Sequence, residues 1–348
     1  MSTPTPTPHP TADTAAYPRE ARAVVLAKRG SAATPPTFEI TAVPVRPPRQ
    51  GEVVVRNLLT SVDPYMGFRM RGDVSSYAEA YPEGRPVAAG SVGVVVASEH
   101  PDIKVGGWLL NESGWREFAT VPGDVHQVAD PDAADDVAWL SVLGMTGITA
   151  WVALHEVCNV EAGQTVAVTA AAGAVGGVAV QLAKAAGARV IGIAGGEVKR
   201  QHVQSALGAD VAIDYTAAEL AGQLREATDG IDVVVDNVGG PQLGAMLHLL
   251  NDHARVALVG RLGATGDDAA VDISVAVPRR VRLEGLIVID YLPRWPAIRR
   301  ALASLLADGQ LRPVVTVSDG LDGAPEALAG LFHQGAPHLG KRLVRIAS

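Results

Sequence analysis

The chain has 348 residues, 48% hydrophobic and 19% charged, a balance that builds at least one large core and excludes a disordered protein or a small disulfide scaffold. Its 29 Lys and Arg stand against 37 Asp and Glu, a net charge of -8 with no dense basic block, which argues against nucleic acid as a partner. A single cysteine, Cys158, removes intramolecular disulfides and Cys-rich structural zinc sites, and fits a reducing, cytoplasmic compartment.

At roughly 100 to 200 residues per domain, the length predicts two domains. Residues 1–18 are rich in Thr and Pro, carry neither the charged nor the apolar region of a signal peptide, and read as a disordered tail. Residues 19–130 hold short β-like runs at 23–27, 52–58, 93–97, 108–110 and 118–120, punctuated by Pro and Gly, which predicts a compact, irregular β domain. From 131 to 308 the pattern changes. Apolar runs at 165–171, 188–195, 231–240 and 254–260 alternate with helical stretches at 175–187, 199–208 and 218–230. Such alternation marks parallel strands buried on both faces and joined by crossover helices. Residues 309–348 return to strand-like text at 313–318 and 341–348 and are expected to rejoin the first domain. No apolar stretch reaches the roughly 18 to 20 residues that cross a bilayer, so the chain reads as soluble, with no membrane partner.

The run 165–171 leads into Ala170-Ala171-Ala172-Gly173-Ala174-Val175-Gly176-Gly177. The spacing Ala171-x-Gly173-x-x-Gly176 is a small-residue form of the dinucleotide turn. That turn must be tight, its backbone must approach a pyrophosphate closely, and the helix after it supplies N–H groups and a positive dipole end. Taken alone the string also fits plain helix packing; its place after the first strong strand of a βαβ series favours the cofactor. The next strand ends Ile193-Ala194-Gly195-Gly196, without the acid that accepts from an NAD ribose, and Lys199-Arg200 follow. Loss of the carboxylate and gain of cations favour NADPH over NADH. Glu197 opposes that reading, and a solvated helix face is the alternative for both cations.

With these pieces in place the sequence resembles the medium-chain dehydrogenase/reductase superfamily, in particular its zinc-free branch of leukotriene B4 12-hydroxydehydrogenase/prostaglandin reductases and of alkenal and curcumin double-bond reductases. The strings that carry the resemblance are SVDPYM (61–66), GWREFATV (114–121), LGMTGITAW (143–151), AAAGAVGG (170–177), DNVGG (236–240), LNDHARVALVG (250–260) and EGLIVIDY (284–291). The implied fold is α/β: a Rossmann doubly wound parallel sheet over 131–308 and a GroES-like β-barrel domain built from both chain ends, 19–130 and 309–348. The implied cofactor is NADPH/NADP+. Gly173 and Val175 would lie near its pyrophosphate, with Ala171, Ala174 and Gly176 of the same turn; Lys199 and Tyr215, beside Gly195, would meet the 2′-phosphate; Met145 and Asn237 would lie beside the nicotinamide or its ribose, with Thr146 and Gly260 as further cofactor-binding candidates. Met145 also reads as a core Met, Asn237 as a turn residue and Tyr215 as an ordinary strand-end aromatic.

The implied activity is hydride transfer to the β-carbon of an α,β-unsaturated carbonyl compound without a metal, because the GHE-type segment and four-cysteine lobe of zinc alcohol dehydrogenases are missing and the nine His are scattered. His155, in WVALHEV, reads as a structural helix residue. Tyr65 is the first candidate to contact substrate, with packing under a Pro turn as its alternative. Where relatives often carry a tyrosine after the fifth Rossmann strand, this chain has Thr265, a poorer proton donor, and Tyr291 could line the cleft instead. Relatives also often read NxGK where this chain reads His338-Leu339-Gly340-Lys341, which implies loss of an Asn contact to the cofactor. Quinone reduction, reductive cyclisation of a polyene and a non-enzymatic NADPH-binding role are the competing functions. A homodimer is the family's habit.

Overall fold

The computed structural model describes residues 17–31, 34–72, 78–124, 127–217, 219–260, 270–333 and 338–346. Val- and Ala-rich runs with Gly and Pro between them form strands from both ends of the chain. In order these are β1 (Glu20–Lys28), β2 (Thr37–Pro44), β3 (Glu52–Val62), β4 (Arg85–Pro86), β5 (Ser91–Ser98), β6 (Trp108–Asn111), β7 (Phe118–Pro122) and β8 (Gln127–Ala129), with helix α1 (Pro64–Arg71) after β3. Asp63 precedes Pro64 in extended conformation and Pro64 takes the first helical position, where its missing N–H costs nothing. The segment expected as a Pro turn is therefore a helix, and Tyr65 stands on its first turn.

The middle of the chain runs α2 (Asp136–Leu140), α3 (Met145–Trp151), β9 (Thr165–Val168), α4 (Ala174–Ala185), β10 (Arg189–Ala194), α5 (Glu197–Gln201), β11 (Val211–Asp214), α6 (Leu220–Ala227), β12 (Ile231–Asp236), α7 (Gly240–Leu247), β13 (Leu250–Leu258), α8 (Ala276–Arg279), β14 (Arg282–Gly285) and α9 (Trp295–Ala307). Its sheet has the order β11-β10-β9-β12-β13-β14, with every pairing parallel. Numbered within the sheet this is 3-2-1-4-5-6, the doubly wound order whose crevice opens where the direction reverses, beyond the ends of β9 and β12. Ala167, Ile191, Val234 and Val256 face one core cluster while Val166, Val168, Val190 and Val233 face another, so both faces of the sheet are covered. A π-helical turn, Val152–Val157, continues α3 and seats His155 against Trp151 at 4.1 Å between ring centroids.

The C-terminal segment adds β15 (Val315–Asp319), α10 (Ala324–Gly330) and β16 (Lys341–Arg345). β16 inserts between β15 and β3, so the seven-stranded sheet β15-β16-β3-β5-β6-β8, with β7 also on β3, is closed by residues nearly 300 positions apart. Lys341, 3% exposed, makes a 2.5 Å ion pair with Asp63, 4% exposed, and donates a second bond to the Val62 carbonyl. An isolated bridge from Gly173 to Gly340 and a 2.8 Å bond from Gly340 N–H to the Ala172 carbonyl join this strand to the Rossmann turn.

Candidate functional site

β9 ends at Val168, and after four intervening residues the chain reaches Gly173, the N-cap of α4, which makes no side-chain cap bond. The left-handed residue of the turn is Ala170, at φ 48°, one position before Ala171, the first residue of the small-residue spacing. It is held there by the Gly173 N–H on its carbonyl at 2.8 Å, while Ala171 N–H reaches the Ile193 carbonyl at 2.9 Å. Ala171 itself is fully buried and serves as packing: a Cβ at Gly192 on the neighbouring strand would lie 3.1 Å from its methyl. A Cβ at Gly176 would come within 2.3 Å of the Ala170 carbonyl oxygen and one at Gly173 within 3.1 Å. Only glycine fits the first of these places. The helix N-terminus with bare N–H groups opens on a recess lined by Ser141, Val142, Gly173, Ala174 and Lys341. A backbone cradle of this kind accepts a pyrophosphate. Val175, the next residue, is partly buried against the core and contributes its backbone position. Gly176→Val is expected to abolish binding of NADPH and NADH together, and Gly173→Val to weaken both; fluorescence titration with each cofactor checks it, and a selective loss of one would contradict it.

At the end of β10, Gly195 lies under the Tyr215 ring, where a Cβ would come within 2.9 Å of the ring carbons. Gly196 follows at φ 85°, its N–H held by Asp214 at 2.9 Å. Tyr215 is 43% exposed, a ring resting on the glycine beside the start of α5. Glu197 and Arg200 bind each other through two 2.7 Å bonds, and Glu197 also accepts from Gln201. The acid that opposed NADPH is neutralised by its own helix, and Arg200 is committed to it. Lys199 is half-buried and, among the described residues, has no ion-pair partner; burial pushes its ammonium below the usual range. His338, carried past Gly340 by the crossing strand, stands near enough to Lys199 and Arg342 that their charges, after burial, hold its imidazole below its ordinary value. The position expected to lose a polar contact is filled by a second nitrogen base.

Between β12 and β9 lies a buried polar network that the sequence did not reveal. Asp236, fully buried, accepts from the Thr169 hydroxyl at 2.8 Å and from the Val238 and Gly239 N–H groups. Asn237 donates from its backbone to the Thr169 hydroxyl and from its amide to the Thr169 carbonyl, both at 2.8 Å. A Cβ at Gly260 would sit 2.7 Å from the Asn237 carbonyl, so the chain after β13 presses against this corner. Asn237 is therefore rigidly placed at the crevice rather than a free turn residue. Met145 and Thr146 open α3; Thr146 is 5% exposed and its hydroxyl is spent on the Ser141 carbonyl.

In the β domain, Tyr65 packs with Val24, Met66, Tyr81 and Trp115. Burial, then the nearby Tyr81, Asp63 and Glu112, raise its phenol well above the ordinary value. The Tyr81 hydroxyl donates to the Ala88 carbonyl at 2.7 Å, with Arg69 stacked 3.9 Å over its ring. Tyr291 lies elsewhere, on a 3-10 turn Val288–Arg294 against the other core, where burial and the carboxylates of Glu284, Glu156 and Asp290 raise its phenol. Tyr65 and Tyr291 belong to separate clusters. Thr265 and residues 1–16 lie outside the described residues. Among the described residues no three His, Cys, Asp or Glu side chains gather in a metal-binding group, and no helix is long and apolar enough to cross a membrane.

Residues 174–306 match the family described as zinc-binding dehydrogenase, and residues 22–128 match the N-terminal domain of oxidoreductase. The chain is 34% identical to the NADPH-dependent curcumin reductase of Escherichia coli, over 94% of this chain and 97% of that protein. It is 33% identical to the NADP+-dependent 2-alkenal reductase of Nicotiana tabacum, over 86% and 89%. CurA of Vibrio vulnificus, crystallised with NADPH, superposes with a TM-score of 0.86 at 35% identity, covering 94% of this chain and 100% of that one.

Proposed function

Since the chain belongs to the medium-chain dehydrogenase/reductase superfamily, in the branch of alkenal and curcumin double-bond reductases, we propose that it is an NADPH-dependent ene-reductase acting on α,β-unsaturated carbonyl compounds. The observation that carries this reading is the pairing of a glycine cradle at α4 with an uncommitted Lys199 beside Tyr215, in a chain whose like-sized relatives reduce such compounds. These residues fit the cofactor: the Gly173–Gly176 turn would receive its pyrophosphate, Lys199 and Tyr215 its 2′-phosphate, and Met145 and Asn237 would border its nicotinamide or ribose.

Bound there, NADPH supplies the hydride. The protein's own part is positional and electrostatic. The Asp236–Thr169–Asn237 network fixes the crevice corner without side-chain freedom, which lowers the entropic cost of aligning donor and β-carbon. Tyr65 faces the substrate from the β domain. An enolate spreads its charge onto oxygen and needs only hydrogen-bond donors, so the reaction proceeds without a Lewis acid; the scattered His and single Cys of the sequence supply no ligand set for one.

The proposal includes the division into 19–130 with 309–348 and 131–308, a reducing cytoplasmic location that suits one buried thiol, and a homodimer. Support for the last is that β14, four residues long, ends the Rossmann sheet order and offers an edge to a second copy. Sedimentation at the monomer mass overturns the dimer. The activity is tested by a steady-state screen with NADPH over enones, enals and quinones. Loss of enone absorbance with NADPH oxidation is expected; turnover confined to quinones would falsify the ene-reductase reading.

A further inference from the structure

Gly340 and Lys341, at the start of β16, reach from the dinucleotide turn to the start of α1. Gly340 donates its N–H to the Ala172 carbonyl and Lys341 donates its own to the Val314 carbonyl, both at 2.8 Å, and Gly340 bridges to Gly173. Gly340 stands at φ 64°, and a Cβ there would fall 1.9 Å from the Val314 carbonyl oxygen, so only glycine fits where the strand passes the turn. Lys341 also lines the recess at the start of α4, together with Gly173, Ala174 and Ser141. Every hydrogen bond on this cofactor side is made by the backbone.

On the other side the bonds are made by side chains. Lys341 Nζ meets Asp63 Oδ1 at 2.5 Å and the Val62 carbonyl at 2.9 Å, with both charged residues buried. Asp63 also accepts from the Ser61 hydroxyl, and the Trp115 indole N–H holds the Ser61 carbonyl at 3.2 Å. Asp63 is the last residue before α1, and Tyr65 is the second residue within it. The far end of that helix is held independently, by Tyr81 N–H on the Arg69 carbonyl and Gly30 N–H on the Met70 carbonyl, both at 3.1 Å. The ion pair therefore fixes the end of α1 that bears Tyr65. Desolvation offsets most of the attraction in such a pair, so it adds little stability over apolar side chains of the same size. What it adds is direction, since its bonds hold a set length and angle where apolar contacts slide.

We propose that Lys341 and Asp63 are positioning residues of the ene reduction: their pair sets the Tyr65 end of α1 relative to the turn that receives the cofactor. This rests on the ene-reductase reading above. Hydride transfer requires the reacting atoms to stand about 3 to 3.5 Å apart and aligned. Donor and acceptor are held by different parts of the chain, the donor by the α4 turn and the substrate beside Tyr65, so their alignment depends on how those parts are registered. The two residues are committed to each other and act through that register, without exchanging a proton with the substrate.

The test compares wild type with Lys341→Met/Asp63→Leu, which replaces the pair by apolar side chains, using NADPH and an enone. The backbone bonds of Gly340 and Lys341 survive the change, so NADPH affinity by fluorescence titration is expected to stay near that of wild type. kcat should fall about 10- to 100-fold, and its primary isotope effect with deuterated NADPH should rise as hydride transfer becomes the slow step. A pair that serves stability alone predicts instead that the variant recovers kcat along with its urea midpoint. Asp63→Glu keeps both charges but displaces them by a methylene; it should show the same split to a smaller degree, and it decides the matter if the double variant does not fold. In a Tyr65→Phe background, removing the pair should cost little further kcat; full additivity overturns action through Tyr65. Wild-type kcat and isotope effect in the folded variants, or equal losses of NADPH affinity and kcat, overturn the positioning role alone. No enone turnover by wild type overturns the ene-reductase reading, and this role with it.

Discussion

Lys341→Ala is expected to remove about 3 to 5 kcal/mol of folding stability, measured as a lower urea midpoint at unchanged slope. Both partners of the Lys341–Asp63 pair are almost wholly buried, and Lys341 also holds the Val62 carbonyl. Removing the cation strands a buried carboxylate beside the Ser61 hydroxyl. Desolvating two ions costs nearly as much as their attraction returns, so the loss arises chiefly from the orphaned charge. Combining Lys341→Met with Asp63→Leu should therefore recover most of the deficit. A single-site cost below about 1 kcal/mol, the range of surface pairs, would show that water reaches the pair.

Lys199→Ala should raise the NADPH KM about 10- to 150-fold by deleting a charge-assisted phosphate contact of about 1.5 to 3 kcal/mol, and leave NADH use nearly unchanged. The structure sharpens the expectation in one respect. Arg200 and Glu197 neutralise each other, so Arg200→Ala should matter less to NADPH than Lys199→Ala and should free Glu197 to repel the phosphate only modestly. Equal losses with both cofactors in Lys199→Ala would place this lysine on the protein surface, away from the ribose.

The parallel sheet was legible because its strands, buried on both faces, leave unbroken apolar runs, and the turn after β9 because glycine spacing records close backbone approach. Other features left no such trace. Ala170 gives no hint of a positive φ, since its residue type disfavours that region and neighbouring hydrogen bonds impose it. β2 was missed because it is an edge strand with hardly a buried residue, so no apolar pattern marks it. α1 was masked by Asp63-Pro64 and Gly67, which read as turn chemistry. Gly67 is instead a close approach: a Cβ there would lie 2.7 Å from the Phe332 ring. Asp63 lies in the SVDPYM segment, but its partner is 278 positions away, a separation no local pattern reports.

The insertion of β16 between β15 and β3 also dictates an order of events during synthesis. The strands of the Rossmann sheet are contiguous in sequence and can pair while the C-terminal segment is still within the ribosome, whereas the seven-stranded sheet waits for residues 341–345 to emerge. Until then β3 and β15 carry open edges and Asp63 has no counter-ion, a nascent chain exposed to edge-to-edge association. A premature stop that removes only this last strand therefore threatens the whole β region through aggregation during translation.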